Sequence, residues 1–236
     1  MSVTITVDPT SIEANSYVTA SMADAYFNER FDSTDWTDAS ADDRARALLE
    51  AARRIDSYMF FGEKWYHKQK MQFPRKPYQK VVSGVADSGT TTTLIDDTLA
   101  NIDLYDPNEW KYAGIRITEG TNEGYARLVT GFNVSTGQLT FEAFPSAIDS
   151  TSQYTLYYKV PDEVRDAQCE LALWIIQMAN DRSPLVDPNV QSESIGDYSV
   201  TYKTERVDYI VPDFVRTMLN GWISSVGVMV NDRTLN

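Results

Sequence analysis

The chain has 236 residues, 42% apolar and 23% charged, which is enough for a full hydrophobic core and a second small unit and excludes a disordered polymer. Its net charge of −13 excludes tight non-specific coating of nucleic acid, because that binding needs Lys and Arg to displace counterions from phosphates. One cysteine, Cys169, excludes an internal disulfide, and no apolar run reaches the roughly 18 residues that span a bilayer. With no basic-then-apolar leader, the chain is expected in a cytosol-like compartment, away from membranes.

The charge is unevenly spread. Residues 1–43 hold nine acids against the single base Arg30, whereas residues 44–80 hold ten bases, from Arg44 to Lys80. This layout suits either charge-complementary contact between subunits or partners, or two solvated faces.

In chain order, "VTITVDPTSIEANSYV" alternates and then turns, predicting a short strand or extended arm that leads to Thr19 as a helix N-cap. A first helix over Ala20–Glu29 should bury Met22, Ala25 and Tyr26. A polar loop, "STDWTDAS", carries Trp36, and Ser40 with Asp43 makes a capping-box-like start. Behind it Ala45, Leu48, Leu49, Ala52, Ile55 and Met59 recur at helical spacing, with Gly62 as a stop.

Between residues 81 and 158 helical periodicity gives way to short alternating runs: "TTTLID", "AGIRITE", "YARLVTGF", "GQLTF" and "YTLYYKV". Turns such as "GTNEG" and "NVSTG" separate them. Five such strands predict a small antiparallel β-barrel or sandwich inserted as its own unit. Its acids Asp96, Asp97, Asp103 and Asp106 lack the spacing of an EF-hand loop.

Helicity returns at "VPDEVRDAQCELALWIIQMAND", where Pro161 suits a first helical position and Asp162 and Glu163 favour the positive end of the dipole. Val164, Ala167, Leu171, Trp174, Ile175 and Met178 form one stripe, and Ala172, Leu173 and Ile176 fill the other side, so this helix should be enclosed, with Cys169 as a small buried hydrophobe. "VPDFVRTML" repeats the opening signal and predicts a shorter helix stopped near Gly221. Between them a strand with Tyr198, Val200 and Tyr202 on one face needs a partner, either a hairpin mate around 207–210 or an edge on another subunit. The tail after Trp222, with Val226, Val228, Met229 and Val230, is either frayed or an arm that orders on a partner.

The whole is an α+β chain: a mainly α-helical bundle of about four helices (1–79 and 160–223), an inserted β-domain (80–159) and a C-terminal arm (224–236). Tyr198, Val200, Tyr202, Trp222, Val226, Val228, Met229 and Val230 are the candidate partner interface.

Chemistry is sparsely signalled. The only histidine, His67, leaves no Ser-His-Asp or Cys-His set, and phosphate-loop, zinc and dinucleotide motifs are missing, so an enzyme, a cofactor and a metal are not expected. The strongest polar cluster is "EKWYHKQKMQFPRKPYQK", in which Lys64, Lys68, Lys70, Arg75 and Lys76 interleave with Trp65, Tyr66, Phe73 and Tyr78. Basic groups beside stacking rings are what a single-stranded nucleic-acid site uses. The alternative is that the rings pin the loop while the bases face water. A carbohydrate or host-surface role for the β-domain has only Trp110, Tyr112 and Tyr125 to support it.

"EANSYVTASMADAYFNER", "RALLEAARRIDSYMFFGEKW", "MQFPR", "VPDEVRDAQCELAL" and "ESIGDYSVTY" followed by "VPDFVRTML" occur in this order. The ordered set resembles the head-to-tail adaptor (connector) proteins of tailed bacteriophages, a group often labelled DnaT-like single-stranded-DNA-binding proteins. The resemblance covers residues 13–79 and 160–222. It implies a structural virion protein assembled in the host cytoplasm as a homo-oligomeric ring, usually of twelve copies. Such a ring sits beneath the portal protein, extends the channel for genomic DNA and carries the tail tube, nozzle or another tail component. The β segment departs from the minimal pattern and looks like the small Thr/Gly-rich unit of phage structural proteins.

Overall fold

The computed structural model describes residues 3–77, 80–100, 108, 110–180, 192–195, 198–201 and 211–224. They form an α+β fold with two separate hydrophobic cores. One is built from residues between Ala14 and Phe73 and between Val160 and Leu219, the other from residues between Ala86 and Leu156.

Five helices are described. In α1 (Ala20–Glu29) the Thr19 side chain accepts from the Met22 N–H, and Ala23 and Phe27 face the core. The expected Ala25 is exposed, with Met22 and Tyr26 only half-buried, because the stripe is shifted by one position. The polar loop around Trp36 is itself a short helix, α2 (Thr34–Asp38), which buries Trp36 against Phe27. Asp24 of α1 accepts from Trp36 Nε1 and from Arg44 Nη1, both at 2.9 Å, tying α1 and α2 to the next helix.

That helix, α3 (Ala41–Asp56), opens as the spacing of Ser40 and Asp43 predicts. Ser40 Oγ accepts from the Asp43 N–H at 3.1 Å and donates to the Asp43 carboxylate at 2.7 Å. It stops at Asp56 rather than near Gly62, which leaves Met59 outside the helix and 65% exposed.

The long helix α4 (Asp162–Asn180) is enclosed over Val164 to Ile176, but Met178 in its last turn is exposed. Both prolines sit one place earlier than expected. The Pro161 carbonyl accepts from Arg165, and Pro212 caps α5 (Asp213–Met218) in an extended conformation. With α2 and α5 this short, the helical unit is less regular than a four-helix bundle. Its largest contact is between α3 and α4.

Two short strands, β1 (Glu63–Lys64) and β2 (Arg75–Lys76), pair antiparallel behind α3. The second core lies under a seven-stranded antiparallel sheet of β3 (Val81–Val85), β4 (Ser88–Gly89), β5 (Thr93–Ile95), β6 (Gly114–Glu119), β7 (Ala126–Asn133), β8 (Gln138–Phe141) and β9 (Gln153–Tyr157), in the order β3-β9-β6-β7-β8-β5-β4. The five runs marked in the sequence are β5 to β9. The sheet is not a closed barrel. Its two end strands, β3 and β4, are halves of one run bent at Ala86 and Asp87, whose N–H groups donate to Ser152 and Ile95 carbonyls. The glycines and aspartates of "VVSGVADSG" interrupt the alternation there, so this run carries no clear strand signal. The chain enters and leaves this unit at one place, where the Tyr158 N–H donates to the Lys80 carbonyl at 2.9 Å.

The N-terminal segment crosses between the two units. Asp8 accepts from the Leu128 N–H at 3.0 Å and from Arg127 Nη1 at 3.4 Å, and Asn15 Oδ1 accepts from the Thr6 N–H at 2.8 Å. Pro9 lies so close to Gly114 that an added Cβ would come within 2.4 Å of it. The expected lone strand is half of a hairpin: β10 (Ser192–Ile195) pairs with β11 (Tyr198–Thr201) on its upstream side, and residues 207–210 lie outside the described residues.

The candidate nucleic-acid interface

The segment 64–76 is organised around two buried polar side chains. Gln69, 3% exposed, accepts from the Tyr66 N–H at 3.0 Å and donates to the Met71 and Pro74 carbonyls, each at 3.0 Å. Arg75, 6% exposed, caps the chain that follows α3. Its guanidinium donates to Phe61 O at 2.7 Å, Phe60 O at 3.0 Å and Gly62 O, and to Gln72 O and Oε1 at 3.2 and 2.6 Å. Burial pulls its pKa below the ordinary arginine value, opposed by Tyr17, Asp56 and Glu63. A guanidinium with this many internal acceptors is a structural brace rather than a phosphate ligand.

Lys64 is also turned inward, donating to the Gln69 and Lys70 carbonyls at 3.3 and 2.9 Å. Of the five cations in the cluster, Lys68, Lys70 and Lys76 are exposed, and Lys76 lies 3.9 Å from Glu63.

The rings are similarly committed. Phe73, 2% exposed, sits edge-on to Tyr17, Phe60 and Trp222 at centroid distances of 5.9, 4.9 and 5.9 Å. Trp65 meets Tyr157 of β9 edge-on at 6.1 Å and carries the Lys76 ammonium at 5.7 Å from its ring centroid. Arg116 of β6 stacks 4.3 Å over Tyr66. Trp65 and Tyr66 therefore pin this loop to the inserted sheet, with a cation already over each ring. Tyr78 lies outside the described residues.

Beneath Phe73, the Tyr17 hydroxyl donates to the Asp56 carboxylate, which also accepts from the Gln72 N–H at 2.8 Å. Burial, then the Asp56 charge and hydrogen bond, hold the Tyr17 pKa well above the ordinary phenol value. This keeps the hydroxyl a donor at any working pH.

Part of the charge of the first 80 residues is paired within the fold. Arg44 pairs with Asp24 at 2.9 Å, Arg46 with Asp42 and Asp43, Arg53 and Arg54 with Glu50, and Arg30 with Glu170 at 2.6 Å. Exposed pairs of this kind contribute little each, but they leave fewer cations for a ligand.

Of the candidate partner residues, Trp222 is half-buried against Phe73. Its carbonyl accepts from the Phe61 N–H at 3.0 Å, beside a Phe60–Ile223 bridge. Tyr198 and Val200 stand in β11 opposite Ile195 and Glu193. Tyr202, Val226, Val228, Met229 and Val230 lie outside the described residues.

Sequence reasoning missed the residue that joins most of these parts. Gln168, 0% exposed in α4, accepts from the Tyr17 N–H at 2.9 Å and donates to Ser16 Oγ at 2.7 Å and to the Leu48 carbonyl at 3.0 Å. A glutamine amid an otherwise apolar helix face was its only signal.

Residues 2–97 match the family model described as "Putative DnaT-like ssDNA binding protein". The match covers α1 to α3, the 64–76 segment and the first strands of the sheet, and leaves out α4 and α5. No curated protein matches the chain.

Proposed function

We propose that this chain is a structural assembly protein, a head-to-tail adaptor of a tailed bacteriophage. In this reading it forms a ring under the portal, extends the channel for genomic DNA and offers the tail its platform, without catalysing a reaction. The observation that carries it is the convergence of the ordered motifs on one core. "EANSYV" meets α4 through Tyr17 and Gln168, α3 meets both through Leu48 and Asp56, and "MQFPR" closes the same core through Phe73 and Arg75. The polar groups in these motifs are used to hold a rigid wedge, which supports a building block rather than a ligand site. Mixing the chain with the portal of its own virus should give a complex whose images carry the portal's rotational order. No association, together with virions free of this chain, would refute the proposal.

A second reading, a single-stranded-DNA-binding module, is favoured by the description of the family model that matches residues 2–97. The inward turn of Lys64 and Arg75 restricts its phosphate contacts to Lys68, Lys70 and Lys76. With three such contacts, log K should fall with log salt at a slope of about −2. Replacing Lys68 and Lys70 by Gln should flatten that slope without changing stability; absence of binding at low salt excludes the module.

A further inference from the structure

Phe31 is 96% exposed, the most exposed large apolar side chain described. It is nevertheless held firmly. Arg30 grips Glu170 of α4 through Nε at 2.6 Å and Nη2 at 3.1 Å, and its Nη1 donates to the Phe31 carbonyl at 3.1 Å and the Asp32 carbonyl at 2.5 Å. Asp32 then takes a left-handed φ of 55°. The ring is thus presented to water on a turn braced against α4, flanked by the exposed acids Glu29 and Asp32.

The C-terminal half of α3 bears a hollow of about 350 Å³ with an apolar lining from Leu49 and Met71. Arg53, whose exposed guanidinium lies 3.6 Å from Glu50, and the exposed Lys70 stand on its rim, with Asn15 and Ser57 completing the lining. Asp56 also lines it, but that carboxylate already accepts from the Tyr17 hydroxyl and the Gln72 N–H. The volume accommodates an aromatic ring, and the rim is opposite in sign to the residues beside Phe31.

A chain cannot fill its own hollow. Tyr17 before α1 bonds Asp56 at the end of α3, whereas Asp24 within α1 bonds Arg44 near the start of α3, so the two helices run antiparallel. Phe31, past the last residue of α1, lies at the end away from Asp56, beyond the roughly 15 Å that a ten-residue helix spans.

We propose that Phe31 of one copy inserts between Leu49 and Met71 of a second copy, with Glu29 and Asp32 facing Arg53 and Lys70. Knob and hollow are different surfaces, so the contact is heterologous and repeats from copy to copy until the rotation closes. Aromatic anchors in apolar pockets are the residues that usually dominate such interfaces.

This interface rests on the building-block reading, but its test is separate. Phe31→Ser should leave the thermal midpoint unchanged and weaken self-association of the full chain about tenfold or more in sedimentation velocity. Mixing Phe31→Cys with Leu49→Cys under oxidation should give one cross-linked dimer that neither variant gives alone; Cys169 is buried and does not compete. A chain that stays monomeric at every accessible concentration, or that self-associates unaffected by Phe31→Ser, overturns the interface. A chain that associates through Phe31 yet ignores the portal supports the interface and removes the adaptor reading.

Discussion

Gln168 and Tyr17 are 151 residues apart in the chain, yet the glutamine side-chain carbonyl accepts the tyrosine backbone N–H at 2.9 Å in a fully buried setting. The same side chain donates to Ser16 and to Leu48, so one amide joins the N-terminal segment, α3 and α4. Gln168→Leu should destabilise the chain by about 3 kcal/mol, since a buried N–H and a buried carbonyl each lose a partner at about 1–3 kcal/mol. Equilibrium denaturation measures it; a loss below about 1 kcal/mol would show that the amide is not the joint.

Arg75→Gln tests whether the basic segment is a brace. It removes donors from the Phe60, Phe61 and Gly62 carbonyls and should lower the denaturation midpoint clearly, by about 2–4 kcal/mol of stability. Lys68→Gln, one residue before the same buried Gln69, should change stability by less than about 0.5 kcal/mol. Equal effects would contradict the burial of Arg75.

In the sheet, Asp96 accepts from the Tyr154 hydroxyl at 2.7 Å, and a Cβ on Gly84 would come within 2.5 Å of that carboxylate and 2.7 Å of that hydroxyl. Gly84→Ala should therefore break or displace the pair and cost about 2 kcal/mol. Hydrogen exchange should report the loss in β3 and β9 before it reaches α3 and α4.

Burial, with smaller contributions from Asp166 and Glu170 against Arg165, pushes the Cys169 thiol far above the ordinary range. The folded chain should resist a maleimide at pH 7 to 8 and react stoichiometrically once denatured, because the thiolate is the reactive form. Rapid labelling of the native chain would place Cys169 outside the core.

For Asp162, burial acts to raise the pKa, but the hydrogen bonds and charges of Arg165 and Lys159 outweigh it and hold the carboxyl below its ordinary value. A carboxylate lowered in the folded state contributes stability above its unfolded pKa and loses it as pH falls through the folded one. Asp162→Asn should accordingly narrow the stability difference between pH 6 and pH 3, read from denaturation midpoints. A variant with the wild-type acid dependence would assign that slope elsewhere.

Local signals were legible wherever the physics was local. The Thr19 and Ser40 caps, the apolar stripe of α3, the enclosed stretch of α4 and five of the sheet strands follow from spacing and short-range hydrogen bonding. The strand halves 81–85 and 88–89 were not, because glycine hides the alternation in both and the first pairs with 153–157, far along the chain, while the second is only two residues long. The candidate site misled for a related reason. Composition shows lysine, arginine and aromatic residues side by side, but the direction of each is set by distant acceptors, the carbonyls of 60–62 for Arg75 and the strands β6 and β9 for Tyr66 and Trp65. The acid-rich and base-rich segments read as a dipole, and where α1 folds against α3 one acid and one base of the two, Asp24 and Arg44, meet.

The hydrogen bond from Tyr158 to Lys80, next to the pairing of Val81 with Tyr157, closes the neck of the inserted sheet, so departure and return lie side by side. An excursion with adjacent endpoints can be excised or exchanged in one genetic event, bridged by a couple of residues, while the helical body keeps its connectivity. The crossing at Asp8 and Pro9 and the contacts of Trp65 with Tyr157 and of Tyr66 with Arg116 would register the change. The path of the helical chain is thus indifferent to the sheet's presence, and only the side-chain contacts between the two would feel its loss.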